Sequence, residues 1–368
     1  MGEGLRPYYH KGNVITPAIE QAFKRAVSEA CCFVGQTAPN PAVGCALLDE
    51  QGHILVVAAH HRAGESHAER LAVEQARELG IVEKIHTVVV TLEPCNHTGR
   101  TPPCTEILLT TPMRTLWIGC KDPNPLVQGA GAARLEVAGC AVHWVEQSPN
   151  GKELLSLCQA LLAPFTWRML HKRPWITVKQ ALNSNGTMQP PVGQKTFTSE
   201  KSLRFAHRLR CVTDGIITAT GTVRTDHPTL TVRLVPDHVA RQRVLVVCGQ
   251  KTNIPVDWLQ TAQKRFAISV CPDCAQLPEI LAQTSALWML VEAGPTLLNV
   301  LRQADLWDDW LTIEQHHFQN NNDTNKKQNC DQWRVTTRHT ITPISLLPEW
   351  AECQHEQDKQ EEACFPVL

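Results

Sequence analysis

The first half of the chain alternates helical and extended hydrophobic patterns. Residues 16–32 place apolar side chains at the three- and four-residue spacing of an amphipathic helix, and residues 44–60 form two apolar runs around an Asp-Glu-Gln-Gly turn. A second helical pattern over residues 67–80 ends at a glycine, and residues 85–94 form a buried strand pattern that ends at a proline. Further strand, helix and strand patterns follow. This order predicts an α/β domain with a covered sheet.

The second half resumes this alternation from about Pro174, where a new strand pattern follows a segment rich in proline and basic residues. A loop is expected after the strand pattern Asp-Gly-Ile-Ile-Thr-Ala-Thr. The Asn-rich residues 319–329 and the charged end of the chain are expected to be mobile, and no secondary structure is predicted beyond Gln315. We therefore place a domain boundary near residue 165 and predict three segments: a domain over 14–160, a domain over 165–350 and a polar tail over 351–368.

Composition narrows the class of protein. The 35 Lys and Arg residues balance the 36 Asp and Glu residues, so a formal charge of -1 provides no basic field for nucleic acid. No apolar run approaches the ~18–20 residues of a bilayer span, and the N-terminal segment lacks the pattern of a secretion signal. A cytoplasmic location is expected. The 15 cysteines then indicate mostly buried small side chains or metal ligands rather than a disulfide framework.

One imidazole and two thiols suggest a metal centre. His67 is followed by Cys95 and Cys104, each of which comes directly after a proline. Three soft or borderline ligands of this kind are typical of a catalytic zinc ion whose fourth position is left to water. Glu69 lies two residues after His67, near the predicted start of a helix, and is the candidate proton shuttle. This His-x-Glu and Pro-Cys combination is the signature of the zinc deaminases, in which two residues separate the cysteines, whereas eight residues separate Cys95 and Cys104 here.

Two other interpretations remain open for these residues. A purely structural zinc site would need a fourth protein ligand, for which His97 is the nearest candidate. Alternatively, the histidine caps a helix, the glutamate is a solvated acid of the first helical turn, and the cysteines belong to the core.

A resemblance to a known family rests on four segments of the first half: Pro-Asn-Pro-Ala-Val-Gly, His-His-Arg-Ala-Gly-Glu-Ser-His-Ala-Glu, Thr-Leu-Glu-Pro-Cys-Asn-His-Thr-Gly-Arg-Thr-Pro-Pro-Cys and Asp-Pro-Asn-Pro. Residues 16–145 resemble the deaminase domain of the bacterial bifunctional riboflavin-biosynthesis deaminase-reductases. This resemblance implies a cytidine-deaminase-like three-layer α/β/α fold, one Zn²⁺ per chain and hydrolytic deamination of a diaminopyrimidinone that carries a phosphoribosylamino group. It also assigns substrate contacts to a set of polar residues: Asn40, His60, His97, Arg100, Asp122 and Asn124. Ala130 stands where that family usually has a basic residue, which weakens one expected phosphate contact.

Residues 165–312 resemble the reductase domain of the same family through Trp-Ile-Thr-Val-Lys-Gln-Ala-Leu-Asn-Ser-Asn-Gly, Thr-Ala-Thr-Gly-Thr-Val-Arg-Thr-Asp-His-Pro-Thr-Leu-Thr-Val-Arg and Val-Glu-Ala-Gly-Pro-Thr-Leu. The resemblance implies a dihydrofolate-reductase-like α/β fold and hydride transfer from NADPH to the ribosyl group. No Gly-x-Gly-x-x-Gly motif follows a predicted strand, which argues against a Rossmann site. The implied substrate contacts are Lys179, Arg210, Asp226, Arg233 and Glu292. The implied cofactor contacts are Thr198, Gly221, Thr222, Val223, Gly294, Pro295 and Thr296.

Several residues of the second half depart from the pattern of the reductase domain. Asn185 replaces an acidic residue of that family, Thr196 stands near an expected aromatic, His227 replaces a second acid, and the pattern is lost after Ile313. A deaminase with a degenerate reductase domain is therefore the first alternative. A non-catalytic, zinc-stabilised nucleic-acid-binding protein and a nucleic-acid-editing deaminase rank below it, because charge and aromatic content offer no nucleic-acid groove. The expected partner is a small pyrimidine phosphoribosyl substrate, with no nucleic acid or membrane, and the resemblance is compatible with a homodimer.

Overall fold

The computed structural model describes residues 13–97, 102–125, 128–194, 196–238, 241–318 and 328–354. Contacts between residues divide the chain into two units. The first comprises residues 1–33 and 42–162, and the second comprises residues 34–41 and 163–368. Among the described residues, no helix combines the length and the apolar character that a membrane crossing requires.

The first unit is built on a five-stranded sheet in the order β2-β1-β3-β4-β5. Strand β1 runs antiparallel to both β2 and β3, whereas β3, β4 and β5 are parallel. The elements are α1 (Pro17–Cys31), β1 (Gly44–Leu48), β2 (Ile54–Ala59), α2 (Ala68–Glu78), β3 (Thr87–Leu92), α3 (Cys104–Leu109), β4 (Thr115–Cys120), α4 (Ala130–Val137) and β5 (Ala141–Trp144).

Both faces of this sheet are covered by helices. Every residue of β1 and β3 is buried, which is the burial pattern of a strand enclosed between two layers. Helix α1 packs so closely that a Cβ on Gly44 would lie 2.0 Å from the carbonyl oxygen of Ala26. On one face of the sheet, a core forms between the helices α2, α3 and α4 and the strand residues Cys45, Leu47, Val88, Val90 and Leu92. The hairpin and the two helices predicted over residues 16–80 are confirmed.

Helix α5 (Lys152–His171) was not predicted as one helix. It continues through Pro164, and the division between the two units falls within it, between Leu162 and Ala163.

The second unit is built on a seven-stranded sheet in the order β12-β11-β6-β10-β7-β8-β9. All neighbouring pairs are parallel except β11 and β12, which form an antiparallel ladder. The elements are β6 (Trp175–Leu182), α6 (Glu200–Val212), β7 (Gly215–Ala219), α7 (Thr220–Asp226), β8 (Arg243–Cys248), α8 (Val256–Gln263), β9 (Phe266–Cys271), α9 (Leu277–Ala282), β10 (Trp288–Val291), α10 (Pro295–Gln303), β11 (Asp309–Phe318) and β12 (Gln328–Thr337).

Alternate residues of the central strands enter different apolar clusters. Ile217 of β7 packs with Val291 of β10 and with α9 and α10, whereas Ile216 packs with α8 and Leu290 packs with α6. Helices therefore cover both faces of this sheet as well, as the parallel pairing requires.

Three expectations for the second half were wrong. The segment after β7 is the helix α7 rather than a loop. Residues 328–329, which the sequence predicts to be mobile, are paired in β12, where Gln328 faces Phe318 in the register. The predicted polar tail starts too early, because Cys353 is buried in a core cluster. The segment beyond Gln315, for which no secondary structure is predicted, also contains strand residues and a turn of 3₁₀ helix. Residues 319–327 and 355–368 lie outside the described residues.

Candidate functional site

The three predicted metal ligands come together in the first unit. His67 is the N-cap of α2, Cys104 is the first residue of α3, and Cys95 follows the end of β3. His67 Nδ1 lies 3.3 Å from Cys104 Sγ and 3.6 Å from Cys95 Sγ, and the three ligand atoms all lie within 4.8 Å of one another. Zinc bonds of about 2.3 Å to sulfur and 2.0 Å to nitrogen at tetrahedral angles would separate S from N by roughly 3.5 Å. The donor set fits a zinc ion in both chemistry and spacing.

The two thiols have opposite protonation tendencies. A hydrogen bond with the Cys104 side chain lowers the pKa of Cys95 to about 4, and its sulfur also accepts the backbone N–H of Cys104 at 3.3 Å. The same side-chain bond, together with burial, raises the pKa of the Cys104 thiol. The pair thus holds one negative charge in common, and a divalent cation would favour the thiolate form of both.

Glu69 is enclosed beside these ligands. Only 3% of the residue is exposed, and its carboxylate hydrogen-bonds with the Cys104 side chain. Burial raises the pKa of Glu69, and His67 partly opposes this shift. A raised pKa makes the carboxylate a stronger base, which suits proton transfer at the metal centre.

Among the described residues the ligand group has three members. His97, the candidate fourth ligand of a structural site, is exposed and is not one of them. A three-ligand group leaves one tetrahedral position for water or substrate, which is the arrangement of catalytic rather than structural zinc.

The other predicted residues of the deaminase half have different surroundings. His60 is buried, its Nδ1 lies 3.0 Å from the Ser66 carbonyl oxygen, and its ring meets that of His67 edge to face at 5.4 Å. Asp122 accepts the backbone N–H of Asn124 at 2.8 Å and interacts electrostatically with His97 and Cys95.

Burial raises the pKa of Asp122. Asn40 is half-buried and belongs to the short segment 34–41 that is grouped with the second unit. Arg100 lies outside the described residues.

Glu93 is a site-forming residue that the sequence pattern did not single out. It is 5% exposed and lies between β3 and Cys95. One carboxylate oxygen accepts the N–H groups of Gly131 at 3.1 Å and Ala132 at 3.3 Å, and the other accepts those of Gly129 at 3.0 Å and Asp122 at 3.5 Å. Glu93 therefore ties the start of α4, and the segment that carries Asp122, to the strand end that leads into Cys95.

The second unit contains a cleft of about 1290 Å³. This volume exceeds the ~300–1,000 Å³ of a pocket for one drug-sized ligand, so the cleft has room for a substrate beside a cofactor. Ten predicted contacts line it: Lys179, Arg210, Asp226, Glu292, Thr198, Gly221, Thr222, Gly294, Pro295 and Thr296.

A buried ion-pair group lies in this cleft. Arg210 donates two hydrogen bonds to Glu292, at 2.6 and 2.7 Å, and Lys179 Nζ lies 3.9 Å from the same carboxylate. Although burial opposes it, the two cations lower the pKa of Glu292 to about 2. Lys179 thus faces the cleft rather than solvent, and Arg210 forms a buried pair rather than a surface one.

The glycine-containing turns meet at the same cleft. Gly294, the N-cap of α10, donates its N–H to Thr222 Oγ1 at 3.1 Å. This contact joins the starts of α7 and α10 and places backbone groups of both turns at the cleft wall, where a cofactor phosphate could be bound.

Two predicted contacts lie elsewhere. Val223 is fully buried in a core cluster, and Arg233 is exposed and donates to Thr229 and Thr231.

The departures from the expected reductase pattern are accommodated locally. The backbone N–H of Asn185 donates to Asn183 Oδ1 at 2.9 Å in an exposed turn, and Thr196 Oγ1 lies 3.0 Å from Thr198 Oγ1. His227 adopts a left-handed conformation, φ 41°, as the C-cap of α7. Ile313 lines the cleft from β11, so the strand order of the unit continues past the last matched residue.

Comparisons with known proteins agree with both halves. The family profile described as cytidine and deoxycytidylate deaminase zinc-binding region matches residues 17–120, and that of the RibD C-terminal domain matches residues 174–313. Riboflavin biosynthesis protein RibD of Bacillus amyloliquefaciens is 36% identical over 305 residues, with 75% of this chain and 78% of that protein aligned. Riboflavin biosynthesis protein RibD of Aquifex aeolicus is 36% identical over 234 residues, or 63% of this chain. The chain spans 62% of that relative's length, which is under two thirds.

A solved structure has the same architecture. It is named as a diaminohydroxyphosphoribosylaminopyrimidine deaminase/5-amino-6-(5-phosphoribosylamino)uracil reductase from Thermotoga maritima. It aligns with 85% of this chain and 89% of its own, with a TM-score of 0.70 and 26% identity. The predicted fold class, a cytidine-deaminase-like domain followed by a dihydrofolate-reductase-like domain, is confirmed.

Proposed function

Because the chain belongs to the RibD family of riboflavin-biosynthesis proteins, we propose that it is a bifunctional enzyme of that pathway. Its first domain hydrolytically deaminates the diamino-hydroxy-phosphoribosylaminopyrimidine, and its second domain reduces the ribosyl group of the product to ribityl with NADPH. The proposed domains are residues 14–160 and 165–350. The near-neutral formal charge of -1 supports a small-molecule substrate rather than nucleic acid.

The deaminase proposal rests on one observation, the cluster of His67, Cys95 and Cys104 with the buried Glu69 beside it. The three side chains would hold one zinc ion per chain, which when bound supplies a Lewis acid that makes a coordinated water more acidic. Because two thiolates offset the charge of the ion, a separate base is useful. Glu69 would take the proton of the attacking water and deliver it to the departing amine.

Neighbouring residues would orient the substrate. His60 presents a buried ring beside His67, and its carbonyl contact at Ser66 holds the ring in place. Asp122 and Asn124 lie on the segment tied down by Glu93, and their proposed role is to bind the ring and the phosphoribosyl group. Asn40, His97 and Arg100 complete the proposed contacts of the substrate.

The reductase proposal rests on the cleft of the second unit. The turns at Gly221, Thr222 and Gly294 to Thr296 offer backbone N–H groups for the phosphates of NADPH, and the cofactor when bound supplies the hydride. Lys179 and Arg210 would attract the phosphorylated substrate, while Glu292 keeps both cations oriented. The remaining proposed contacts, Asp226, Arg233, Thr198 and Val223, belong to the same unit.

Mass analysis of reaction products tests both activities. Zinc-loaded protein is mixed with the diaminopyrimidinone substrate, with and without NADPH, and the products are compared. We expect a deaminated product in both reactions and a product that is also reduced when NADPH is present. A product that is only deaminated would overturn the reductase half and support a degenerate second domain, and unchanged substrate would overturn both.

A matched pair of variants tests the role of Glu69. Glu69→Gln should retain one zinc ion per chain and release no ammonia, because the amide cannot carry the proton. Glu78→Gln, at the exposed end of the same helix, is the control and should release ammonia at the normal rate. Normal ammonia release by Glu69→Gln would refute the proton-shuttle role.

A further inference from the structure

Three cysteines lie together where two strands of the second unit end. Cys248 ends β8 and Cys271 ends β9, and they are paired in the parallel register of these strands. Cys274 follows in the sequence Cys-Pro-Asp-Cys. All three belong to one apolar cluster, in which Cys248 and Cys271 are buried and Cys274 packs against the buried residues.

The contacts of Cys271 make it the least suitable partner for a disulfide. Its thiol donates to the carbonyl oxygen of Asp273 at 3.0 Å, a bond that braces the turn leading to Cys274. Paired residues on adjacent strands stand roughly 4.7–4.9 Å apart with parallel side chains. A disulfide needs Cβ atoms about 3.5–4.5 Å apart and converging side chains. Cys274 instead lies in the 3₁₀ turn after β9, outside the strand pairing, and lines the same cleft as Cys248.

Both members of this remaining pair line the cleft. Cys248 and Cys274 are among its lining residues together with Gly249 and Pro272, whereas Cys271 is fully buried and is not. The cleft gives a small reagent access to Cys274, which is half-buried. A covalent change at this pair would therefore alter the wall of the proposed cofactor site.

We propose that Cys248 and Cys274 form a redox-active dithiol that a low-molecular-weight disulfide, such as glutathione disulfide, converts to an intramolecular disulfide. Cys274 attacks one sulfur of the reagent, the reagent's S–S bond breaks, and one reagent thiol leaves. Cys248 then attacks the Cys274 sulfur of the mixed disulfide and releases the second reagent thiol. Two protein thiols are oxidised, one reagent disulfide is reduced, and the two protons pass to the released thiolates.

The order of these two attacks follows from exposure. Burial raises the pKa of the Cys248 thiol, which reduces the fraction present as thiolate, so the more accessible Cys274 reacts with the reagent first. The mixed disulfide on Cys274 precedes the closed form.

The consequence for cofactor binding rests on the proposed reductase function. Closing the bond draws the turn at residues 272–274 toward the end of β8 and changes the wall next to the turn at Gly221. We expect NADPH to bind the oxidised protein about tenfold more weakly, a change of about 1.4 kcal/mol.

The chemical part is tested by intact mass and peptide mapping of the full-length, zinc-loaded protein after treatment with glutathione disulfide. We expect a form that has lost two hydrogens, a Cys248–Cys274 linkage in the peptide map and reversal by dithiothreitol. Cys274→Ser should abolish this linkage, and Cys271→Ala, which leaves both partners in place, should retain it. A Cys271–Cys274 linkage, or a map without Cys248 and Cys274 joined, would overturn the proposal.

The functional part is measured separately, by titrating NADPH into the reduced and oxidised forms of one preparation. Weaker binding in the oxidised form, with restoration by dithiothreitol and with no change in Cys274→Ser, is the expected result. Equal affinity in the two forms would overturn the effect on the cleft. Absence of NADPH binding in both forms, beside a mapped Cys248–Cys274 bond, would refute the reductase function and leave the dithiol chemistry established.

Discussion

Replacing Glu93 should loosen the part of the deaminase domain that carries the segment 122–132. In Glu93→Gln, the amide oxygen can still accept the buried N–H groups of Gly131 and Ala132, but the amide nitrogen then faces the N–H groups of Gly129 and Asp122. Those two acceptor bonds are lost and two donors face each other. Hydrogen bonds to a charged group contribute about 1.5–3 kcal/mol each, and the Asp122 bond at 3.5 Å is long. We expect a loss of roughly 2–4 kcal/mol.

Differential scanning calorimetry of the zinc-loaded protein measures this loss. A domain of ~150–250 residues shifts its midpoint by about 2–4 °C per kcal/mol, so the first unit should unfold roughly 5–15 °C lower. Because the anchored segment carries proposed substrate contacts, KM should rise more than kcat falls. Glu136→Gln on the exposed face of α4 is the control and should stay within about 0.5 kcal/mol of the wild type. Equal stability of the two variants would refute the anchoring role of Glu93.

Three further changes have defined outcomes. Gly131→Ala places a Cβ 1.9 Å from the carbonyl oxygen of Pro94, the residue before Cys95, so zinc affinity measured by chelator competition should fall. Ala133→Ser, on the exposed side of α4, is the control and should leave zinc affinity unchanged. Burial raises the pKa of Asp309 to about 6, so the free energy of unfolding of the wild type should fall by roughly 3 kcal/mol as pH rises from about 4 through 6. Urea unfolding of Asp309→Asn should lack this loss, and parallel pH profiles of the two proteins would contradict it. Glu292→Gln leaves Arg210 buried beside a neutral amide and should destabilise the second unit by about 3–5 kcal/mol at neutral pH. In the wild type this contribution to stability is present above pH ~4.3 and is lost as pH falls toward about 2. A variant as stable as the wild type would contradict the pairing.

The chemistry of the metal centre could be predicted from the sequence, because it depends on residue type and local spacing. The local features are His67 before one helix, Glu69 two positions after it and Cys104 at the start of another helix. The hydrophobic periodicity likewise predicted most helices and strands of both sheets. Each of these features is determined within a few residues along the chain.

Interactions between distant parts of the chain were decided only by the tertiary structure. Glu93 binds Gly131 across 38 positions and Arg210 binds Glu292 across 82, and no local pattern pairs one charged residue with another so far away. The polar residues of β12 form a strand because β11 offers a ladder of backbone partners, although their own side chains favour a loop. Cys248 and Cys274 line one cleft for the same reason, since parallel pairing of β8 and β9 brings two strand ends together. Local sequence specifies which groups and elements are available, whereas the partner of a buried charge, an edge strand or a thiol depends on the packing of the whole unit.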